Sequence, residues 1–157
     1  MTTPTVVPTE YQNTYVDYLN VKVDRSGAVR QSSGDVTVPS ATEEGAFIGL
    51  IPFNAGARFI VNDKSIHVTD IDDGTDSLLN VGVIYQNTNE GTDDVDLFVL
   101  ASTAGQAGGF LAVTNPTGLD YVTTGNGWLA VENDTNVTES EGTLTWSIGV
   151  VYDKPIA

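Results

Sequence analysis

The chain has 157 residues, 40% of them apolar, and 21 Asp and Glu against 6 Lys and Arg, for a formal charge of −15 at neutral pH. That length gives one domain whose core needs neither disulfide nor metal to hold it. The lack of cysteine excludes thiol catalysis, a disulfide framework and thiolate-held zinc or iron–sulfur centres, and so acidic a surface repels phosphate backbones and argues against direct nucleic-acid binding.

The N-terminal stretch MTTPTVVPTEYQNTY has no basic segment followed by a long apolar run. Neither a secretory signal nor a membrane span is expected, so the chain should be made and folded in a cytoplasm. Residues 1–10 carry Pro4 and Pro8 without alternation and read as an extended arm ahead of a domain over 11–157. Strand signals then dominate. Short runs of Val, Thr, Ile, Phe, Tyr and Trp are separated by Gly, Asn, Asp and Pro clusters. Strands are expected at 14–23, 35–38, 64–70, 94–101, 110–114, 120–123 and 128–132. AFIGLIPF (46–53) and ARFIVND (57–63) are nearly continuous apolar runs, the pattern of central strands covered on both faces. In LLNVGVIYQ, Leu79, Val81, Val83 and Tyr85 share one side. In GTLTWSIGVVYD, Leu144, Trp146, Ile148, Val150 and Tyr152 alternate with Thr145, Ser147, Gly149 and Val151, which makes one side core. Ser102–Gly109 reads as a loop, with a single helical turn as the alternative. No amphipathic helix of useful length occurs. The fold expected is all-β: a single-domain antiparallel sandwich or barrel.

The acidic stretch VTDIDDGTDS poses the question of a metal site. An EF-hand loop starting at Asp70 would need carboxylates at positions 5 and 12, but Gly74 and Val81 stand there. A less regular Ca²⁺ site would draw on Asp70, Asp72, Asp73 and Asp76, with Asp93, Asp94 and Asp96 from the next loop. The alternative is an acidic turn between strands, since Gly supplies positive φ and Asp bonds its own backbone. The expectation is a turn, with no metal and no cofactor. His67 is the only histidine and sits in a strand-like KSIHVTD without a nucleophile elbow, so no Ser–His–Asp triad is expected. Carboxylate pairs for glycoside hydrolysis are too many among 21 acids to single one out. Trp146 lies on a core face. Trp128, after a Gly-rich turn, is the better of the two tryptophans for surface recognition, but core packing is the expected reading. The sequons at Asn133 and Asn136 carry little weight without secretion.

Charge is unevenly spread. Lys22, Arg25, Arg30, Arg58 and Lys64 precede Ser65, and from Ser65 to Asp153 there are 14 acids and no Lys or Arg. With Tyr11, Tyr15 and Tyr18, the residues Lys22, Arg25 and Arg30 make the N-terminal segment the candidate contact surface, because tyrosine is favoured at interfaces.

The order IPFNAGARFIVNDKSIHVTDID, SLLNVGVIYQ, DDVDLFVLASTAGQAGG, GNGWLAVENDTN and GTLTWSIGVVYD, over about residues 45–153, resembles small head-associated virion proteins of tailed bacteriophages, among them capsid decoration (cement) proteins. The resemblance implies a β-sandwich of jelly-roll type and no enzymatic activity. It also implies a homo-oligomer, a trimer first, attached to the major capsid protein on the virion surface. Two other readings stand beside it: a glycan-binding or adhesion sandwich using Trp128 and the acidic loops, with Ca²⁺ as an aid, and a small glycosidase.

Overall fold

The structure, a computed structural model, describes residues 3–8, 23, 26–72 and 76–152. Its longest strand organises the rest. The expected alternation over 144–152 is met by β9 (Gly142–Tyr152), whose inward residues Leu144, Trp146, Ile148, Val150 and Tyr152 are buried. Along one edge β9 pairs with β1 (Arg30–Val38), from Arg30 opposite Val150 to Val38 opposite Gly142. Along the other edge run β3 (Ala57–Ile60) and β4 (Ile66–Val68), Ala57 opposite Tyr152 and Ile66 opposite Trp146. Between them the register shifts by three residues, so β3 and β4 form one edge-pairing strand interrupted at 61–65. β7 (Gly109–Phe110) closes this sheet beside β4, in the order β1-β9-β4-β7.

The second sheet has the order β2-β8-β5-β6, from β2 (Phe47–Phe53), β8 (Gly127–Thr135), β5 (Leu78–Tyr85) and β6 (Asp94–Ser102). All named strand pairs are antiparallel. The chain is therefore an all-β antiparallel sandwich, as its alternation predicts. The inner faces meet in one core, in which Phe53 of one sheet stacks edge-on against Phe59 of the other and against Tyr85, with centroids 5.7 Å apart in each pair. Fully burying one such side chain contributes roughly 1.5–3 kcal/mol before the entropy cost of ordering it.

The loops gather at two ends. At one, Ala41 N donates to Thr138 O, Ile71 N to Gly105 O and Glu139 N to Ile71 O, which ties together the β1–β2, β4–β5, β6–β7 and β8–β9 connections. Asn133 is the hub there. Its amide donates to the carbonyls of Thr42, Glu43 and Asn136 while the residue is 1% exposed, so this sequon asparagine is a structural amide. At the other end Gly56 N donates to Thr123 O and Gln86 N to Asn126 O.

Three sequence expectations are corrected. β2 is an edge strand, not a central one; its apolar run is continuous because residues 3–8 cover its outer side. Residues 120–123 form no strand. Pro116 starts a 3-10 helix (Pro116–Asp120), and Thr123 then bonds the β2–β3 turn, its Oγ1 accepting from Ala57 N and donating to Asn54 O. Such side-chain bonds compete with a sheet ladder. In 110–114 only Phe110 joins a sheet, and a 3-10 turn (Ala104–Gln106) occupies the loop before it. The expected strand at 14–23 lies, but for Val23, outside the described residues.

Trp146 is the core residue with the most to lose. Its indole lies across Gly34, its partner on β1, and a Cβ at Gly34 would stand 2.7 Å from the ring. Trp146→Ala should lower unfolding free energy by roughly 3–5 kcal/mol in denaturant titration. Gly34→Val should also destabilise, because no side chain fits beneath the ring.

Candidate functional site

In the acidic β4–β5 loop the carboxylates of Asp70 and Asp72 accept backbone amides. Asp70 Oδ1 accepts from Asp72 N at 3.0 Å, and Asp72 Oδ2 accepts from Asp76 N at 3.0 Å and Ser77 N at 2.8 Å. Asp72 is 7% exposed, and the apolar anchor of the loop, Ile71, is 1% exposed. Backbone amides thus take up the best-placed carboxylate. Asp73 lies outside the described residues, and among the described residues no group of three or more Asp, Glu or His is arranged to hold a metal ion. In the β5–β6 loop Asp93 Oδ1 accepts from Tyr85 N at 2.7 Å, again closing a turn. Asp94 hydrogen-bonds Asp96 two residues along the same strand face. Burial first, then that bond and the neighbouring charge, hold the Asp94 carboxyl above the usual range.

His67 projects from the outer face of β4. Its ring meets Phe110 edge-on at 5.0 Å and stands in register opposite Thr145. The nearby Ser65 Oγ accepts from Asn62 N at 2.9 Å and closes a turn. This is a strand histidine in an aromatic contact. The outer face around it is polar and mostly neutral: Gln31, Ser33, Asp35 and Thr37 on β1, Thr145 and Ser147 on β9. Ser147 Oγ receives Gln31 Nε2 at 2.6 Å and Ser33 Oγ at 3.2 Å.

The outer face of the other sheet is different. Ile84, Trp128 and Ala130 form a second buried apolar cluster, with Phe47, Val95 and Val7 against it. Trp128, singled out above for surface recognition, does point away from the central core, yet it is 4% exposed because the arm covers it. Sequence reasoning missed this cluster; the signal was the unbroken apolar run in β2 combined with the PTVV of the arm. It also missed a shallow cleft of about 570 Å³ at the open edge between β6 and β7, lined by Leu100, Ala101, Ala107, Phe110 and Ala112 among others, none of the lining residues charged. Leu100 and Phe110 are about half exposed there. A bulge at Ala101, with φ 55°, breaks the alternation of β6 and turns Leu100 outward.

Of the expected contact residues, Tyr11, Tyr15, Tyr18, Lys22 and Arg25 lie outside the described residues. Arg30 begins β1 opposite Val150, and Arg58 on β3 stands opposite Val151. The two arginines therefore flank the last turn of β9, at the far end of the sandwich from the acidic β4–β5 and β8–β9 loops.

No protein-family model matches the chain, and no curated protein matches it in sequence. Two solved structures share its fold. A chain of the "Capsid of Ralstonia phage GP4" aligns with a TM-score of 0.57 and 20% identity, over 83% of this chain and 87% of that one. A chain of the "Cyanophage Pam1 capsid asymmetric unit" aligns with a TM-score of 0.50 and 17% identity, over 88% of this chain and 97% of that one. The resemblance to phage head proteins read from the sequence is thus matched by structural neighbours from phage capsids.

Two outcomes follow from this geometry. Asp72→Ala should destabilise by about 2–3 kcal/mol, the scale for losing hydrogen bonds to a charged acceptor, and equally in Ca²⁺ and in EDTA. For Asp94, the raised pKa means that the folded state holds the proton more tightly. Its contribution is therefore most favourable below the ordinary carboxylate value and is lost as pH rises through the raised one. Asp94→Asn should raise Tm at pH 7, and the gain should vanish below about pH 4.

Proposed function

We propose that the protein is a non-enzymatic structural component of a tailed-phage virion that binds the outer surface of the capsid and stabilises it, as decoration or cement proteins do. The observation that carries this reading is the fold shared, over more than four-fifths of the chain, with chains of two phage capsids. The strand order supports a jelly roll in particular. With β3 and β4 taken as one interrupted strand, eight strands fill the paths β1-β9-β4-β7 and β2-β8-β5-β6, as two Greek keys do in that architecture. The carboxylates at the acidic turns are bonded to backbone, which supports a scaffold over a reaction centre. The protein acts as a homo-oligomer, with three copies the number implied by the resemblance, and its partner is the major capsid protein. It is made in the host cytoplasm and ends on the capsid surface.

The contact is assigned to the N-terminal segment. Tyr11, Tyr15 and Tyr18 would supply apolar area at low entropy cost, and Lys22, Arg25 and Arg30 would pair with acidic groups. Exposed ion pairs contribute little, so the tyrosines carry more of the affinity. The acidic loops face water, where like charge keeps particles apart.

The test is sedimentation with undecorated capsids. Replacing Tyr11, Tyr15 and Tyr18 by Ser should weaken binding most, by about tenfold or more for the loss of buried aromatic anchors. Arg25→Ala with Arg30→Ala should weaken it less, with a reduced salt dependence. Asp70→Asn with Asp76→Asn, which spares the structural Asp72, should change it least. Full binding by the tyrosine variant with loss in the acid variant would reverse the orientation. No binding by the wild type would end the decoration reading.

A further inference from the structure

Residues 3–8 close the outer face of the second sheet from its edge. The amides of Thr5 and Val6 donate to Phe47 O at 2.9 and 3.3 Å, and Gly49 N donates to Val6 O at 2.7 Å, so Val6 pairs in parallel with Ile48. Val6 turns to the central core and Val7 to the outer cluster of Ile84, Trp128 and Ala130. Pro4 sits beside the indole. A Cβ at Gly49 would stand 2.7 Å from Trp128 Cε3 and 3.0 Å from Pro4 Cγ, so the proline ring and the indole share the space that glycine leaves. This is sheet-edge addition: backbone bonds hold an extended segment and alternate side chains fill apolar seats.

The pairing is parallel, so no tight turn joins the strap to β2. Before reaching β2 the chain builds β1 in the opposite sheet. Between Pro8 and Val23, which packs on the central core, lie the 14 residues 9–22. Fully extended they reach roughly 50 Å, against a diameter of about 40 Å for a domain of this size. A strap from a neighbouring copy would make the same contacts as the chain's own. Only the tether decides between them, and exchange of an identical element is a low-cost route to an oligomer.

We infer that the β2 edge and the Trp128 cluster form an acceptor site for an extended Pro-Thr-Val-Val segment, and that in the oligomer a neighbouring copy supplies it. The subunits are then clipped together by residues 4–7. The inference rests on the oligomer of the proposed function, but its test needs no capsid, so its failure leaves the capsid assay standing.

The chain has no cysteine, so a Val6→Cys, Ile48→Cys variant reports its own connectivity. The two residues are direct bridge partners, within disulfide reach. The oxidised oligomer should run as covalent dimers and larger species on a denaturing gel without reductant. Crosslinks confined within single chains would overturn the exchange. The second arm uses full-length Pro4→Asp, Val7→Asp protein, whose own strap is disabled. Its tryptophan emission should shift to the red as Trp128 meets water. A synthetic peptide of residues 1–8 should reverse that shift saturably at up to about 1 mM, the concentration scale a flexible tether supplies. The same peptide with both aspartates should bind at least tenfold more weakly. If the wild-type peptide leaves the emission unchanged, the acceptor site is overturned even where the cysteine variant does not fold.

Discussion

β9 is hydrogen-bonded along both edges, and the position of every other element in its sheet follows from that. β1 takes one edge over nine residue pairs, while β4 and β3 share the other. The partners come from opposite ends of the sequence: Arg30 meets Val150 and Ala57 meets Tyr152. The sheet cannot close until nearly the whole chain is present, which makes folding dependent on long-range contacts and correspondingly slow. Trp146 sits at the middle of this arrangement, between Gly34 on one side and Ile66 on the other, and its ring occupies the space a side chain at Gly34 would need.

The two outer faces solve the solvent problem in opposite ways. Side chains alternate across a strand, so whatever does not face the core must face water or a cover. On the β9 sheet the outward residues of β1 and β9 are mostly Ser, Thr and Gln, small and hydrated, with His67 against Phe110 at the β4–β7 edge. On the β8 sheet they are Trp128, Ile84 and Ala130, which water would penalise, and the chain covers them with its own N-terminal residues. The molecule therefore carries, on one side, an apolar seat whose natural filler is an extended peptide. Such a seat holds an extended segment more definitely than a pocket would, since backbone bonding to an edge strand fixes direction and register together.

How much of this was legible depended on which neighbours each strand had. β9 and β5 declared themselves because one face is core and alternation is enforced by it. β2 misled, because a continuous apolar run means cover on both faces and says nothing about whether the cover is a strand, a sheet or six residues of arm. Residues 120–123 misled for a different reason. Asp-Tyr-Val-Thr has strand propensity, but Thr123 bonds the β2–β3 turn instead of a ladder, and propensity is weaker than a buried side-chain bond. In the acidic loop the spacing that fails the EF-hand frame lets Asp70 and Asp72 reach backbone amides two to five residues on. What no local pattern contains is pairing: that the PTVV of the arm seats beside Trp128, or that Arg30 and Arg58 arrive on either side of one strand end.

That last juxtaposition gives the charge pattern a direction. Along β9, at about 3.3 Å per residue, roughly 35 Å separates the Gly142 end from the Tyr152 end. The first end carries Glu139, Glu141, Asp70 and Asp72 in adjoining loops and, among the described residues, no Lys or Arg. The second has Arg30 and Arg58 beside the strand end, with Glu90 and Asp93 in the loops that close it. Fields of exposed charges decay over about a Debye length, roughly 8 Å at physiological ionic strength, so the two ends act as separate surfaces, not as one averaged −15. Two copies brought together through their acidic loops repel, as two arginine corners would; the mostly neutral Ser and Thr face carries the least such penalty. Long-range charge biases which surfaces can approach, while apolar contacts of the kind the strap makes beside Trp128 supply the larger stabilisation. The division of labour follows from magnitudes, because exposed ion pairs stabilise by less than about 1 kcal/mol while a buried aromatic seat contributes several times that.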